Sequence, residues 1–443
     1  MTYGHAWAPL TAVCRRAAGA VLACAVVLAI MPISIQAQTY TLLYVFPSDG
    51  SQGISPNSPL IRDEEGNLYG TTQAGGGPGG GGRGTLFRLN TDGTTTLLHV
   101  FNDVKSGLIP SGILLRDRQG NFYGTTFSGG HSGGPCGSFG CGVVFKLSVL
   151  GQLTVLHSFV GPDGNLPLAL IRDAAGNLYG ATLGGGIGCN NNGSPGCGVV
   201  FRLSAKGEFT VLYRFRGGSD GSAPSSLTRD SLGNLYGATY NGGGLCDGFL
   251  TAGCGIVFRL DPAGSETVLH RFTHFAEGLF PWGPLLLDRE GNIYGTATSG
   301  GLPDTCTPGG CGTVCSIGCG VVFKIDPAGN ETPVYRFKGG ADGAIPASGV
   351  LRDRAGNFYG ETTIGGTGGC DHYGDTCGVI FKLDAQGNET VLYSFQGETE
   401  GGSGNGLTRD REGNLYGGGS GGDIPNTGNC FFTGCGVIFK ITP

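Results

Sequence analysis

The chain has 443 residues, 90 of them glycine, and a formal net charge of −6. Glycine follows no three-residue period, which excludes a collagen-type triple helix, and recurrent Phe, Tyr, Leu and Val exclude a disordered glycine-rich tail. Lys and Arg form no run beyond the N-terminus, so the sequence offers no basic patch for nucleic acid.

Residues 1–37 read as a signal peptide. Arg15 and Arg16 precede an apolar run from Ala17 to Ile33, and "SIQAQTY" places small residues before a cleavage after Ala37. Residues 38–443 then form one exported domain, secreted or at the cell-envelope exterior. No later stretch is apolar and long enough to span a bilayer. Cleavage removes Cys14 and Cys24 and leaves fourteen cysteines, an even number that reads as a disulfide set in an oxidising compartment.

The first element after the signal is "TYTLLYVF", residues 39–46, a β-strand by its β-branched and aromatic content. Then a seven-fold motif begins with GNLYGTT at 66–72. Its copies follow at 120–126, 176–182, 233–239, 291–297, 356–362 and 413–419. One unit, 342–397, resolves into four short strands: ASGVLRD (a), NFYGETT (b), GVIFKL (c) and ETVLYSF (d). Four strands in each of seven units predict an all-β, seven-bladed β-propeller. The chain runs out on a c-type strand, "CGVIFKI". The lone d-type strand at 39–46 is therefore expected to complete the last blade and close the ring.

Every a–b connection is Asp-x-x-Gly-Asn, led by Asp63, Asp117, Asp173, Asp230, Asp288, Asp353 and Asp410. Glycine supplies the left-handed turn residue and aspartate accepts hydrogen bonds from the turn. The tyrosines that follow, Tyr69 to Tyr416, are read as blade-packing residues. A phosphate-cradling glycine loop would need a following helix, and no helical period is present. Arg62, Arg116, Arg172, Arg229, Arg352 and Arg409 precede six of these aspartates and are read as structural ion-pairing groups; Leu287 stands in the seventh.

The b–c loops are long and differ between blades, so binding residues are expected on the face they share with the d–a loops. They hold the cysteines in local pairs: Cys136 and Cys141, Cys189 and Cys197, Cys246 and Cys254, Cys370 and Cys377, Cys430 and Cys435. Blade 5 has four, Cys306, Cys311, Cys315 and Cys319, for which zinc is the alternative to disulfides. The d–a loops carry an acid before glycine, as at Asp49, Asp163, Asp220, Glu277, Asp342 and Glu400. These read as turn residues. A Ca²⁺ role would need several converging oxygens, which spacing does not supply.

The pattern "GNLYGTT…GG…CGVVFKL…G…TVLYSF…DG…P" resembles GloVer-type tandem-repeat proteins, exported bacterial proteins with variable surface anchors, over nearly the whole mature chain. The turn is also similar to the "DxxGNLW" turns of two-component-regulator propellers. These likenesses imply architecture and location and bring no chemistry. The chain departs from anchored members by lacking a C-terminal anchor.

No catalytic motif, metal motif or cofactor fingerprint stands out. The expected function is a monomeric binding or scaffolding module for a glycan or protein. The alternatives are a propeller enzyme (lyase, lactonase or hydrolase) with its site at the channel mouth, and a structural envelope protein. Trp282 in "FPWGP" is the only tryptophan after residue 37 and breaks the repeat with a large aromatic at the channel mouth. With Tyr240, Asp371, His372 and Tyr373 it makes up the candidate binding group.

Overall fold

A computed structural model describes residues 38–442 apart from 187–189, 192–193, 247–251, 302–317, 368–377, 397–399, 403 and 420–434. It is a seven-bladed β-propeller of four-stranded antiparallel blades. Blade 2 shows the pattern: Leu108–Arg116 (a), Phe122–Ser128 (b), Val143–Leu147 (c) and Leu153–Ser158 (d). In blade 1 strand a is split into Ile54–Pro56 and Ile61–Arg62, both paired to strand b. In blades 6 and 7 strand a shrinks to Leu351–Arg352 and Thr408–Arg409. Thr39–Val45 pairs with Val437–Thr442, so the N-terminal strand completes blade 7 as expected from the order of strands. Among the described residues no helix is long and apolar enough to cross a membrane.

The core lies between blades. The strand c phenylalanines Phe87, Phe145, Phe201, Phe258, Phe323 and Phe381 are fully buried. In every blade the phenylalanine that follows strand d meets the phenylalanine of strand c in the next blade, at ring distances of 5.1–5.3 Å, as in Phe159–Phe201, Phe215–Phe258 and, across the closure, Phe46–Phe87. Each such aromatic burial contributes roughly 1.5–3 kcal/mol before the entropy of ordering is counted.

The a–b turn works as the repeat requires, with an addition. In blade 1 Asp63 Oδ1 accepts from the Asn67 backbone N–H at 2.7 Å. Its Oδ2 accepts from Asn67 Nδ2 at 3.0 Å and from the Tyr69 hydroxyl at 2.8 Å. All seven blades repeat the tyrosine–aspartate bond. Burial pushes these carboxyls up, but the hydrogen bonds outweigh it and hold them below the usual range, as at Asp117 and Asp288.

The arginines differ from the ion-pairing expectation. Arg116 lies over the Tyr69 ring at 5.2 Å, Arg172 over Tyr123 at 5.3 Å, and Arg62 over Tyr416 at 5.6 Å across the ring closure. Only Arg352, of the described arginines in this series, comes within ion-pair distance of a turn aspartate, Asp288 at 3.2 Å. The tyrosine hydroxyl already occupies the carboxylate oxygen, so the guanidinium of the next blade takes the open ring face. Leu287 replaces the arginine in blade 5 and packs in one apolar cluster with Tyr236.

Cysteines pair locally where both partners are described, as Cys136–Cys141 and Cys246–Cys254. Cys197, Cys319 and Cys435 are also disulfide-bonded. Cys189, Cys306, Cys311, Cys315, Cys370, Cys377 and Cys430 lie outside the described residues, and with them the zinc alternative in blade 5.

Candidate functional site

In blades 1–6 the start of strand a, or of the segment leading into it, carries a residue held at positive φ. Ser55, Ile109, Leu166, Ala223, Phe280 and Ile345 have φ of 56–60°, and a proline follows each one. An L side chain is strained there by about 1–2 kcal/mol. The conformation is held from the preceding blade: the Leu166 N–H donates to the Cys141 carbonyl at 3.0 Å, and Phe280 to Cys254 at 2.9 Å. The second cysteine of a pair therefore anchors the next blade through its backbone. The glycine after that cysteine makes room for the proline; a Cβ on Gly142 would stand 2.7 Å from Pro167 Cδ.

These anchored strands wall the central channel, which encloses about 270 Å³ and is lined by strand a or its leading segment from all seven blades. The residue after the proline faces the next blade. Asn57 Nδ2 donates to the Pro110 carbonyl at 2.7 Å, Ser111 Oγ to Pro167 at 3.0 Å, and Ser225 Oγ to Pro281 at 3.4 Å. In blade 7 Asn405 reaches the Pro56 carbonyl. In blade 5 the same position is Trp282, half-buried, in the channel wall. Among the described lining residues no side chain is ionisable: the wall is amide, hydroxyl, aliphatic and indole.

Two of the five candidate residues come together. Tyr240 packs edge-on to Trp282 at 5.4 Å and stacks on Phe280 at 4.9 Å. Asp371, His372 and Tyr373 lie outside the described residues. The d–a acids serve their own turns. Asp163 accepts from the Val160 N–H at 2.8 Å and from His157 Nε2 at 2.9 Å, and Asp342 accepts from the Tyr335 hydroxyl at 2.9 Å. Among the described residues no three His, Cys, Asp or Glu side chains are placed to hold a metal.

The structure adds a residue that the sequence reading passed over. The position after Tyr-Gly in strand b is Thr71, Thr125, Ala181, Ala238, Thr296 and Gly418 in six blades, and Glu361 in blade 6. Glu361 is 1% exposed. Its Oε1 accepts the Gly406 N–H, and its Oε2 is buried with no partner. Burial pushes the carboxyl up to about 7, against the pull of the Gly406 N–H. Ser348 and Gly404 line the channel. One charged letter in a column of Thr, Ala and Gly was the available signal.

The sequence profile of the Gloeobacter/Verrucomicrobia repeat matches residues 29–250 and 187–431, nearly the whole chain. The chain belongs to the Gloeobacter/Verrucomicrobia repeat family. Among solved structures, this repeat protein is similar to virginiamycin B lyase from Staphylococcus aureus, with TM-score 0.55 and 14% identity over 92% of this chain and 99% of that one. It is also similar to the extracellular domain of BT4673, assigned to a one-component system of B. thetaiotaomicron. There the TM-score is 0.53 and the identity 12%, over 91% of this chain and 40% of that one. At these identities the likeness shows the propeller fold alone. A comparison with curated proteins finds no match.

Proposed function

We propose that this repeat protein is an exported binding module whose central channel takes an uncharged, hydroxyl-rich ligand, the terminal ring of a neutral glycan. The observation that carries the reading is the composition of the wall. Trp282 offers an aromatic face, Asn57, Asn405, Ser225 and Ser348 offer neutral polar atoms, and no described lining side chain is ionisable. Sugar rings present apolar C–H faces to an indole and hydroxyls to amides. A cavity of about 270 Å³ suits one ring rather than a long chain. Export fits the disulfides at Cys136–Cys141 and Cys246–Cys254, which persist in oxidising compartments.

The test is calorimetric titration with methyl glucoside, methyl galactoside, N-acetylglucosamine and, as charged controls, glucuronate and glucosamine. Saturable binding of a neutral sugar, lost in Trp282→Ala with the melting temperature lowered by only a few degrees, is the expected result. Binding confined to the charged controls would overturn the assignment of ligand class. No binding by any of them would overturn the channel reading.

A further inference from the structure

The side chain after the leading proline recurs around the channel as Asn57, Ser111, Leu168, Ser225, Trp282 and Ala347 in blades 1–6. Blade 7 has no proline at the start of strand a; it reads "GGSGNG" at 401–406, and Asn405 takes the position. Where this side chain is polar, it donates to the proline carbonyl of the next blade. Ser111 donates to Pro167 at 3.0 Å, Ser225 to Pro281 at 3.4 Å, Asn57 to Pro110 at 2.7 Å, and Asn405 to Pro56 across the closure. A serine hydroxyl has one proton, so Ser111 and Ser225 spend theirs inside the wall. The two asparagines have capacity left over.

An asparagine side chain carries two N–H donors and a carbonyl acceptor. Asn405 Nδ2 meets two acceptors, the Pro56 carbonyl and the Gly418 carbonyl at 3.2 Å. Both of its hydrogens are committed, and among the described residues its Oδ1 has no donor. Asn57 is the reverse. Its Oδ1 accepts from the Thr71 hydroxyl at 2.9 Å, and its Nδ2 gives one hydrogen to Pro110, so one N–H remains. Neither amide can turn over without setting its own carbonyl against that of Pro110 or Pro56. Asn405 bonds to the peptide unit that leads into Asn57, so the free acceptor and the free donor stand side by side, and both residues line the channel.

We infer that Asn405 and Asn57 form one subsite that reads a vicinal diol: one hydroxyl of the ligand ring donates to Asn405 Oδ1, and its neighbour accepts the spare Asn57 N–H. The inference rests on the channel being the sugar site, and adds which edge of the ring is recognised and in which sense. Trp282, in blade 5, stands across the channel from the closure of blades 7 and 1. A ring with its apolar face on the indole turns edge hydroxyls toward the two amides. Hydroxyls suit this pair because each can donate and accept, whereas an ether oxygen only accepts and an ammonium group only donates.

The test takes the neutral sugar that binds in the calorimetric series, and its first arm needs no variant. Each ring hydroxyl of the methyl glycoside is replaced in turn by hydrogen and by fluorine. Hydrogen removes both senses of the hydrogen bond; fluorine removes the donor and keeps a weak acceptor. Deoxygenation at two neighbouring positions should weaken binding about three- to tenfold each, the worth of one neutral hydrogen bond. Fluorine should recover part of the loss at one of the two, the position facing Asn57, and none at the other. A single sensitive position, two that are not neighbours, or two that respond alike to fluorine overturns the diol.

The second arm assigns the two positions. Asn57→Ser and Asn405→Ser each keep a donor for the next blade's proline carbonyl, as Ser111 and Ser225 do. Asn57→Ser should bind the parent sugar about three- to tenfold more weakly and become indifferent to deoxygenation at the fluorine-tolerant position alone. Asn405→Ser should become indifferent at the other. Sensitivity at both positions that survives in both variants overturns the assignment. If no neutral sugar binds, the channel reading falls and the diol with it. If a sugar binds through Trp282 and tolerates every deoxygenation, the diol alone falls.

Discussion

Between blades 2 and 3, Pro167 closes on Gly142, the Leu166 N–H is held by Cys141, and the Ser111 hydroxyl donates to the Pro167 carbonyl at 3.0 Å. Between blades 6 and 7, a glycine segment faces a buried glutamate whose second oxygen has no partner. At their outer ends the two interfaces are alike: Arg172 covers Tyr123 at 5.3 Å and Arg409 covers Tyr359 at 5.2 Å. The repeat is kept where it docks one blade on the next. It is relaxed where the wall meets the channel. A propeller can vary one inner junction because six others hold the ring.

The strongest challenge to this contrast is to remove the closure that both junctions depend on. Deleting residues 39–46 strips blade 7 of its outer strand and exposes the Val437–Thr442 edge. The expected outcome is loss of the monomer to aggregation, read by light scattering; an unchanged melting temperature would contradict closure as the source of stability. Next in size is the exchange of inner residues. Thr125→Glu buries a carboxylate at a 1%-exposed position with no glycine segment opposite, and should cost about 3–5 kcal/mol in denaturant unfolding. Glu361→Thr leaves the Gly406 N–H short of its acceptor and should cost only about 1–2 kcal/mol. Equal costs would erase the difference between the junctions.

A smaller effect is expected at the shared outer end. Tyr123→Phe removes the 3.0 Å bond to Asp117 but leaves the ring under Arg172, and should cost about 1 kcal/mol. The same change at Tyr359, bonded to Asp353 at 3.1 Å, should cost as much, since that part of the repeat is preserved.

The smallest effect is on pH dependence. Glu266, Glu331 and Glu389 are half-buried against Asp220, Glu277 and Asp342 of the preceding blade-to-blade loops. Burial first, then the neighbouring acid, pushes each up to about 7. A carboxyl raised on folding binds more protons in the folded state than in the unfolded one. Stability should therefore decline as pH rises from about 4.5 to about 7 and level off above. The turn aspartates, lowered on folding, act with the opposite sign and withdraw stability as pH falls below their unfolded value near 3.8. The melting temperature should peak near pH 4.5–5, and Glu266→Gln with Glu331→Gln should flatten its decline toward pH 7.

The fold was legible because its determinants are local and repeated. Alternating apolar residues, Asp-x-x-Gly-Asn turns and the order of strands at the two ends specify blades, register and closure. Trp282 could be placed at the channel because strand a is innermost and its start was visible from the turn spacing. The proline–glycine contact and the positive φ before each proline were not legible, because both are relations between blades that sequence spacing does not report. Glu361 was missed for a related reason. Its letter was in plain view, but its meaning depends on the missing proline of blade 7, 40-odd residues further on. The arginines were misread as ion-pairing because the tyrosine hydroxyl that displaces them arrives from another strand.

The pairing of Thr39 with Thr442 has a consequence for synthesis. At about 5–20 residues per second, roughly 20–80 seconds separate the appearance of the two partners. Through that interval the first strand has no edge to join, and six blades accumulate as an unclosed arc. A ribosome that stalls short of Thr442 leaves both the arc and its first strand open to foreign β-edges. The ring is thus complete only when its final codons have been read.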